Sequence, residues 1–374
     1  MMNPFRYGKV VTTPYFTGRE KEIKEISETL KSGNNVLLLG PRRYGKTSLV
    51  REIFKKINSK NSIFLDFYSI TSQKDFINRY AESVFKTQKI PIKKLLNKIS
   101  GLMKNITPTL SFDSSGNPSW SLNYSENVVL EESLLDVLDL PQKIIDKNER
   151  FYVAFDEFQE IHKLNGEGFE KQLRASIQYH ENVSYIFLGS KTHLLLDMFS
   201  SKARALYKSS KLINLQKIDA EKMQEFVISR FQTSNFHITD SMAEQIITIT
   251  QNVPYYVQYL AAQVWQLMNI LPEDDPDNLM NTAIENILDN QNDYYFLIYE
   301  NLTVYQRAVM KAILHDDSNI FSIDYHKKHD LTSQSSTQRA IKSLIDKEIL
   351  DKTDNEYSFS DPFFRHWLTL RMGA

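Results

Sequence analysis

The sequence predicts an α/β fold, in which a mainly parallel sheet is followed by a helical domain and then by a winged helix. Short apolar runs such as 36–39 and 151–155 alternate with amphipathic stretches over the first 218 residues, the pattern of a parallel sheet covered by helices. The periodicity is helical throughout residues 219–300. Residues 301–374 contain helices followed by strand, turn and strand, which is the outline of a winged helix.

The length and composition limit the class of protein. A chain of 374 residues exceeds one ordinary hydrophobic core, so its length favours two or three domains. The pattern of elements predicts three, over 1–218, 219–300 and 301–374. The formal net charge of −1 provides no general attraction to nucleic acid or acidic lipid. The absence of cysteine excludes disulfides, thiolate metal sites and cysteine nucleophiles. Since no apolar run is long enough to span a membrane and no secretory signal is evident, the sequence predicts a cytoplasmic protein without a membrane partner.

The elements of the core follow in a regular order. An amphipathic helix over 20–31 leads into the first strand at 36–39, and the next helix begins at Ser48. An inserted β-hairpin is predicted over about 105–126, because apolar residues alternate on both sides of the turn Ser115-Gly116-Asn117-Pro118. The other predicted elements of the core are a strand over 63–68, a helical stretch over 73–98, strands over 151–156, 184–190 and 212–215, and a helix over 168–179.

One motif indicates a phosphate ligand. Residues 40–47 read Gly-Pro-Arg-Arg-Tyr-Gly-Lys-Thr, which matches the phosphate-binding P-loop and lies between an apolar strand and a helix. Its glycines allow backbone N–H groups to turn toward phosphate oxygens, and the helix N-terminus adds partial positive charge. Lys46 is expected to reach the β- and γ-phosphates and Thr47 to hold Mg²⁺. The predicted nucleotide contacts here are Gly40, Pro41, Arg42, Arg43, Tyr44, Gly45, Lys46, Thr47 and Ser48. A glycine turn with an incidental lysine is the alternative interpretation.

An acidic pair follows a buried strand about a hundred residues later. Five apolar residues over 151–155 precede Asp156 and Glu157. A P-loop site needs such an acidic residue at the end of a neighbouring strand to fix Mg²⁺. Asp156 is therefore the predicted metal ligand, and Glu157 the residue that polarises the water attacking the γ-phosphate. The alternative is an Asp-Glu pair that merely begins a helix.

Further polar residues are candidates on weaker patterns. Ser190 follows the next strand, where it would sense the γ-phosphate or position water, although a Gly-Ser turn explains the same residues. Arg204 and Arg174 are candidates for an arginine finger acting across the interface of a homo-oligomer, and a solvated surface arginine is the alternative for each.

Residues outside the P-loop are candidates for contacting the base. Phe16, Gly18 and Arg19 precede the first strand and would line an adenine pocket, although a loop that leads into a helix has the same sequence. Pro254 would close over the adenine or the β-phosphate. Considered alone, it is a proline at the first position of a helix.

Six short stretches spread over nearly the whole chain fit one family pattern. They are 16–20 (Phe-Thr-Gly-Arg-Glu), 40–49, 155–159 (Phe-Asp-Glu-Phe-Gln), 188–190 (Leu-Gly-Ser), 253–256 (Val-Pro-Tyr-Tyr) and 361–368 (Asp-Pro-Phe-Phe-Arg-His-Trp-Leu). With these stretches the chain resembles the archaeal-type ATPases on the STAND and AAA+ side of the P-loop NTPases, including their bacterial relatives.

The resemblance implies a P-loop NTPase sheet core, a helical lid and a winged helix. It also implies that ATP or ADP binds with Mg²⁺, and that the output is conformational switching or assembly. Asn252 stands where family members commonly have glycine in the lid motif. Many relatives also continue into a nuclease-like domain that these 374 residues do not contain, so any nuclease activity would come from a partner.

Three functions are compatible with these features. The leading one is a Mg²⁺-dependent ATPase, slow or stimulated by a partner, that acts as a conformational switch or assembly regulator. The second is a nucleotide-bound scaffold without hydrolysis, which binds DNA or protein through its winged helix. The third and weakest is a P-loop phosphotransferase that acts on a small molecule.

The charge of the winged helix leaves its partner open. Residues 301–374 contain ten Lys or Arg and ten Asp or Glu residues. The predicted recognition helix contains Arg339, Lys342 and Lys347, interrupted by Asp346. DNA affinity increases with the number of phosphates neutralised, so DNA binding would be weak and sensitive to salt. Winged helices also dock proteins, and both partners are consistent with the sequence.

Overall fold

The computed structural model describes residues 2–57, 60–88, 106–112, 118–124, 130–271, 275–353 and 356–371. The chain divides into two compact units. The sheet unit comprises Arg19–Gly40 and Gly45–Gln216, and the C-terminal unit comprises Met1–Gly18, Pro41–Tyr44 and Lys217–Ala374. The division into three domains remains a prediction.

The sheet unit is built on parallel strands. Its strands are β1 (Val36–Leu39), β2 (Ser62–Asp66), β3 (Ile106–Phe112), β4 (Pro118–Tyr124), β5 (Phe151–Asp156), β6 (Val183–Leu188) and β7 (Lys211–Asn214). Five of them form a sheet in the order β2-β5-β6-β1-β7, and every pairing in it is parallel. The predicted α/β class with a parallel sheet is confirmed.

Helices of the sheet unit bury apolar faces at helical spacing. They are α1 (Glu20–Lys31), α2 (Lys46–Lys56), α3 (Gln73–Thr87), α4 (Leu130–Leu138), α5 (Leu140–Ile144), α6 (Gly166–Ile177) and α7 (Thr192–Ser200). In α1, Ile23, Ile26 and Leu30 are buried, and the intervening positions are mostly charged. The Ser184 hydroxyl on β6 donates to the Leu30 carbonyl at 2.8 Å, which fixes the end of α1 to the sheet.

An aromatic cluster surrounds the end of strand β5. The ring of Phe155 lies within 5.3 to 5.9 Å, between centroids, of the rings of Phe67, Phe158, Tyr185 and Phe187. Aromatic rings at this separation and tilt stabilise one another beyond simple burial. The cluster therefore fixes the backbone on both sides of the acidic pair that ends β5.

The inserted strands β3 and β4 form a separate antiparallel pair, with Leu110 opposite Trp120. The Trp120 ring packs against Phe85 of α3, at 5.1 Å between centroids, and Leu122 is buried. The predicted turn at 115–117 and the continuation of the helical stretch over 89–98 lie outside the described residues.

The C-terminal unit is mainly helical. Its helices are α8 (Ala220–Gln232), α9 (Asp240–Ile249), α10 (Pro254–Ile270), α11 (Pro276–Glu300), α12 (Val304–His315), α13 (Ile323–Lys328), α14 (Gln334–Asp346) and α15 (Pro362–Arg371), and its strands are β8 (Leu350–Thr353) and β9 (Glu356–Phe359). The two strands pair antiparallel between α14 and α15. This succession of α12 to α14 and a hairpin is the predicted winged-helix outline.

The N-terminal segment packs within the C-terminal unit. The Asn3 side-chain amide donates to the Ala262 carbonyl at 3.1 Å, and the Arg6 backbone N–H donates to Gln258 Oε1 at 3.0 Å. Both partners lie on α10, so the first residues of the chain belong to the helical layer rather than to the sheet. Among the described residues, no helix combines the length and the apolar character needed to cross a bilayer.

Candidate functional site

Candidate site residues lie at the carboxyl ends of three adjacent strands. Gly40 follows β1, Asp156 ends β5, and Ser190 comes two residues after β6. In the sheet β6 lies between β5 and β1 and all three are parallel, so these ends share one edge. Ligands of open α/β sheets bind at this edge.

The glycines of the P-loop motif are required for two different reasons. Gly45 has φ of 85° immediately before α2, a left-handed conformation that glycine adopts without strain. At Gly40 a Cβ atom would lie only 3.0 Å from Leu215 Cβ. The turn at Gly45 and the N-terminus of α2 bring backbone N–H groups to one place, which suits an anion such as a phosphate.

Lys46 is a buried cation at the start of α2. Its side chain is only 7% exposed, and Nζ donates a hydrogen bond of 2.7 Å to the Gly40 carbonyl. An ammonium group is costly to bury unless negative charge approaches it. The phosphates of a bound nucleotide would supply that charge.

The predicted metal ligands contact each other. Thr47 Oγ1 donates to Asp156 Oδ2 at 2.7 Å. Burial raises the pKa of Asp156, the hydrogen bond from Thr47 opposes this effect, and the charges of Glu157 and Asp66 reinforce it. Hydroxyl and carboxylate oxygens are ligands that Mg²⁺ prefers, and Mg²⁺ is usually held by one or two carboxylates together with substrate phosphates. The residues present therefore fit a magnesium ion.

We expect Asp156→Asn to stabilise the ligand-free protein. Because burial raises the pKa of Asp156 above its unfolded value, the ionised carboxylate opposes folding at neutral pH. This cost disappears as the pH falls through the folded-state pKa, since the acid is then neutral in the fold. Urea unfolding at neutral pH should show an increase in unfolding free energy on the order of 1 kcal/mol, which shrinks toward about pH 4.

An exposed aspartate provides the control for this prediction. Asp197 is 58% exposed in the same unit, so Asp197→Asn should not reproduce a stabilisation that depends on pH in this way. An Asp156→Asn variant that is less stable than wild type at neutral pH would contradict the prediction.

Both the backbone and the side chain of Glu157 form hydrogen bonds. The backbone N–H donates to Asp156 Oδ1 at 2.9 Å, and the residue has a left-handed φ of 46°. Its Oε2 accepts from Ser190 N–H at 3.2 Å, from the Ser190 hydroxyl at 2.9 Å and from Gln159 Nε2 at 2.5 Å. The structure therefore brings the predicted catalytic residues Glu157 and Ser190 into direct contact.

Gln159 and Asp66 are two residues that the sequence interpretation missed at this site. Gln159 lies in the matched stretch 155–159, but only the fold shows its amide on Glu157. A Cβ at Gly189 would come within 2.1 Å of Gln159 Oε1, so a side chain there would displace the Gln159 amide. Asp66 ends β2 in register with Asp156, which ends the neighbouring β5. An aspartate at the end of a predicted strand is the feature of the sequence that could have identified it.

The two candidate arginine fingers differ in environment. Arg204 forms an ion pair with the buried Glu170 and a second one, of 3.2 Å, with Asp197. A finger function would require Arg204 to leave both carboxylates. Arg174 lies half-buried in the last turn of α6. The function of either arginine in a partner's site remains a prediction.

Three of the candidates for the adenine pocket lie directly before α1. Gly18 has φ of 70°, and a Cβ there would come within 2.4 Å of Ile218 Cγ2, so both conformation and space favour glycine. Arg19 is 2% exposed and donates to Glu22 Oε1 at 2.8 Å, while Phe16 is half-buried. Their contacts with a nucleotide remain predictions.

The lid motif begins a helix of the C-terminal unit. Pro254 is the first residue of α10, where proline fits without strain. The preceding Asn252 has φ of 56°, which asparagine tolerates better than most residues, and its side chain donates to the Ile218 carbonyl at 2.7 Å. The asparagine therefore adopts the backbone conformation that glycine would provide. A nucleotide contact by Pro254 remains a prediction.

Two family models match the chain. The model described as "ATPase domain predominantly from Archaea" matches residues 16–260, and the one described as "Probable winged helix domain" matches residues 293–370. Together they cover most of the chain and agree with the resemblance inferred from the sequence. None of the curated proteins matches the sequence.

Solved structures with the same fold include archaeal proteins of nearly equal length. A Walker-type ATPase of Pyrococcus abyssi is 18% identical with a TM-score of 0.66, and the match covers 99% of this chain and 100% of that one. The ORC1 protein of Aeropyrum pernix, solved in complex with DNA, is 11% identical with a TM-score of 0.51 over 98% and 97% of the two chains. The ORC2 protein of the same organism is 11% identical with a TM-score of 0.50 over 100% and 98%. At these identities the similarity establishes the fold.

Proposed function

The chain belongs to the ATPase domain family found predominantly in Archaea, and on this premise we propose that it is a Mg²⁺-dependent ATPase. We propose further that hydrolysis is slow until a partner stimulates it, and that the nucleotide controls a conformational switch or an assembly. Two neighbouring hydrogen bonds support the proposal most directly. Thr47 donates to Asp156, and Ser190 donates to Glu157.

Each residue of this group has one function in the proposed reaction. Backbone N–H groups at Gly45 and the start of α2 receive the phosphates, and Lys46 neutralises part of their charge. Thr47 and Asp156 hold Mg²⁺, which when bound neutralises charge on the phosphate oxygens. Glu157 accepts a proton from water as the water oxygen bonds to the γ-phosphorus and the bond to the ADP oxygen breaks.

The contacts of Glu157 support a slow basal rate. Its Oε2 accepts three hydrogen bonds from Ser190 and Gln159, so this oxygen is occupied by protein donors instead of the attacking water. A rearrangement that frees this oxygen would let it accept the proton of that water. A partner that favours such a rearrangement would therefore stimulate turnover.

The same contacts support a second candidate function. If Glu157 stays bound to Ser190 and Gln159 when nucleotide is present, the chain holds ATP without hydrolysing it. It would then act as a nucleotide-bound scaffold that binds DNA or protein through the winged helix. The two functions share the binding site and differ only in turnover.

We propose DNA as the first partner to test. The ORC1 protein with the same fold is described in complex with DNA. The equal numbers of basic and acidic residues over 301–374 lead us to expect weak binding, lost between roughly 50 and 200 mM salt. A homo-oligomer in which Arg174 or Arg204 completes a neighbour's site would instead give a specific activity that rises with protein concentration.

The deciding experiment measures ATP binding and steady-state hydrolysis by the wild-type chain with Mg²⁺ or with EDTA, each with and without duplex DNA. Turnover that requires Mg²⁺ supports the ATPase, and stimulation by DNA identifies one partner. Tight ATP binding without turnover in any condition would favour the scaffold. A chain that binds no adenine nucleotide at all would contradict both candidates.

A further inference from the structure

Arg43, in the middle of the phosphate-binding loop, has an unusual backbone. Its φ of 67° lies in the left-handed region, which glycine enters freely and which costs energy for residues with a Cβ atom. Such a conformation persists only where surrounding contacts hold it, and it tends to occur at functional sites. The contacts of this side chain therefore show what holds the loop in place.

Three groups of the C-terminal unit bind the Arg43 guanidinium. Its Nη1 lies 3.2 Å from Asp361 Oδ2. Its central carbon lies 4.9 Å from the ring centre of Tyr255 and 4.8 Å from that of Tyr256, within the range of cation–π attraction. The neighbouring Arg42 forms an ion pair with Glu348. Both loop arginines are thus anchored by carboxylates that follow α14 in the sequence.

Asp361 divides its two oxygens between two tasks. Oδ1 accepts from the N–H groups of Phe363 at 2.9 Å and Phe364 at 3.3 Å, and so caps the start of α15. Oδ2 accepts from Tyr295 Oη at 3.2 Å and pairs with Arg43. Burial raises the pKa of Asp361, and the positive charge of Arg43 opposes this effect. The carboxylate thus connects the last helix of the winged helix to the tip of the phosphate loop.

We propose that Asp361 is a positioning residue for the phosphate loop, acting through Arg43 to hold the loop backbone in its left-handed, phosphate-accepting conformation. The proposal rests on the proposed function, because it takes the loop as the nucleotide site. Arg43 lies between Gly40 and Gly45 in the chain, so its backbone conformation affects the direction of the N–H groups that would receive phosphate. By linkage, a contact that favours nucleotide binding is itself strengthened when nucleotide binds.

The choice of variants separates the side-chain contacts from the backbone conformation. Arg43→Ala removes the contacts and keeps the cost of a Cβ at φ of 67°, whereas Arg43→Gly removes both. Asp361→Asn removes the charge and keeps an acceptor for the α15 cap, since asparagine caps helices about as well as aspartate. Asp289→Asn is the matched control, because Asp289 is 65% exposed and pairs with Arg371 in the same unit.

The Kd for ATP is measured by direct equilibrium binding on the full chain. Arg43→Ala and Asp361→Asn should each raise it by about tenfold, and Arg43→Gly should bind about threefold or more tighter than Arg43→Ala. Adding Asp361→Asn to Arg43→Gly should change the Kd little further, because the contact is already absent. Asp289→Asn should match wild type.

Hydrogen exchange gives a readout that does not depend on affinity. Addition of ATP should increase the protection of amides over 362–371 in wild type and in Asp289→Asn, and should fail to do so in Arg43→Gly even at saturating ATP.

Two results would overturn the inference while leaving the proposed function standing. One is wild-type affinity in both Arg43→Ala and Asp361→Asn, and the other is a normal increase in protection in Arg43→Gly. A wild-type chain that fails to bind ATP would overturn the proposed function together with this inference.

Discussion

Replacing Glu157 with glutamine is expected to lower the turnover number for ATP by a factor of about 10² to 10⁴ and to change the Kd for ATP by only a few-fold. Glutamine retains the size of the side chain and an oxygen that can accept from Ser190, but it cannot take a proton from water. The contacts of Glu157 are with protein groups of the sheet edge, so its loss should affect the chemical step rather than binding. Steady-state hydrolysis and equilibrium binding of ATP separate the two effects.

Glu167→Gln is the matched control for this measurement. Glu167 lies in the first turn of α6 and is 68% exposed, and its nearest cation, Lys171, is 4.0 Å away. Removing that charge should leave turnover unchanged. If Glu157→Gln hydrolysed ATP as fast as wild type, the assignment of Glu157 as the general base would be wrong. Catalysis would then have to be assigned to another group.

The parts of the site that the sequence predicts are those encoded locally. The P-loop and the Asp-Glu pair are short motifs whose conformation depends on a few neighbouring residues, such as the left-handed turn at Gly45. Each motif follows an apolar run, which predicts that it lies at the end of a strand. Because the strands are parallel, the ends then had to meet at one edge, and the structure brings Thr47 and Asp156 together there.

The parts that the sequence does not predict depend on side-chain contacts that only the fold sets. Gln159 is two positions from Glu157, but its amide meets that carboxylate because a 3₁₀ segment, Phe158–Leu164, follows β5 directly, and no motif indicates this contact. The contact of Arg43 with Asp361 joins residues 318 positions apart, and arginine is most often a solvated surface residue. The left-handed φ of Arg43 is likewise invisible in the sequence, since glycine would be the expected residue at such a position.

Replacing Lys46 with alanine is expected to raise the Kd for ATP by about 10²-fold or more, since charge-assisted hydrogen bonds to two phosphates are lost. Lys46 is 7% exposed and its ammonium group donates to the Gly40 carbonyl, so the group is already directed into the loop before any ligand arrives. Turnover at low ATP should fall by at least the same factor. Titration calorimetry or a fluorescent ATP analogue measures the affinity directly.

The stability of the Lys46→Ala variant decides how this loss is interpreted. Burial of the ammonium group costs desolvation energy that its removal recovers, so we expect the ligand-free variant to keep close to the wild-type free energy of unfolding. Lys56→Ala, at the exposed end of the same helix, should bind ATP as wild type does. Weak binding by a Lys46→Ala variant that is also unstable would point to a structural function of the lysine in α2. Weak binding by a fully stable variant would show that Lys46 serves the ligand rather than the fold, and the stabilisation expected for Asp156→Asn would show the same of the carboxylate beside it.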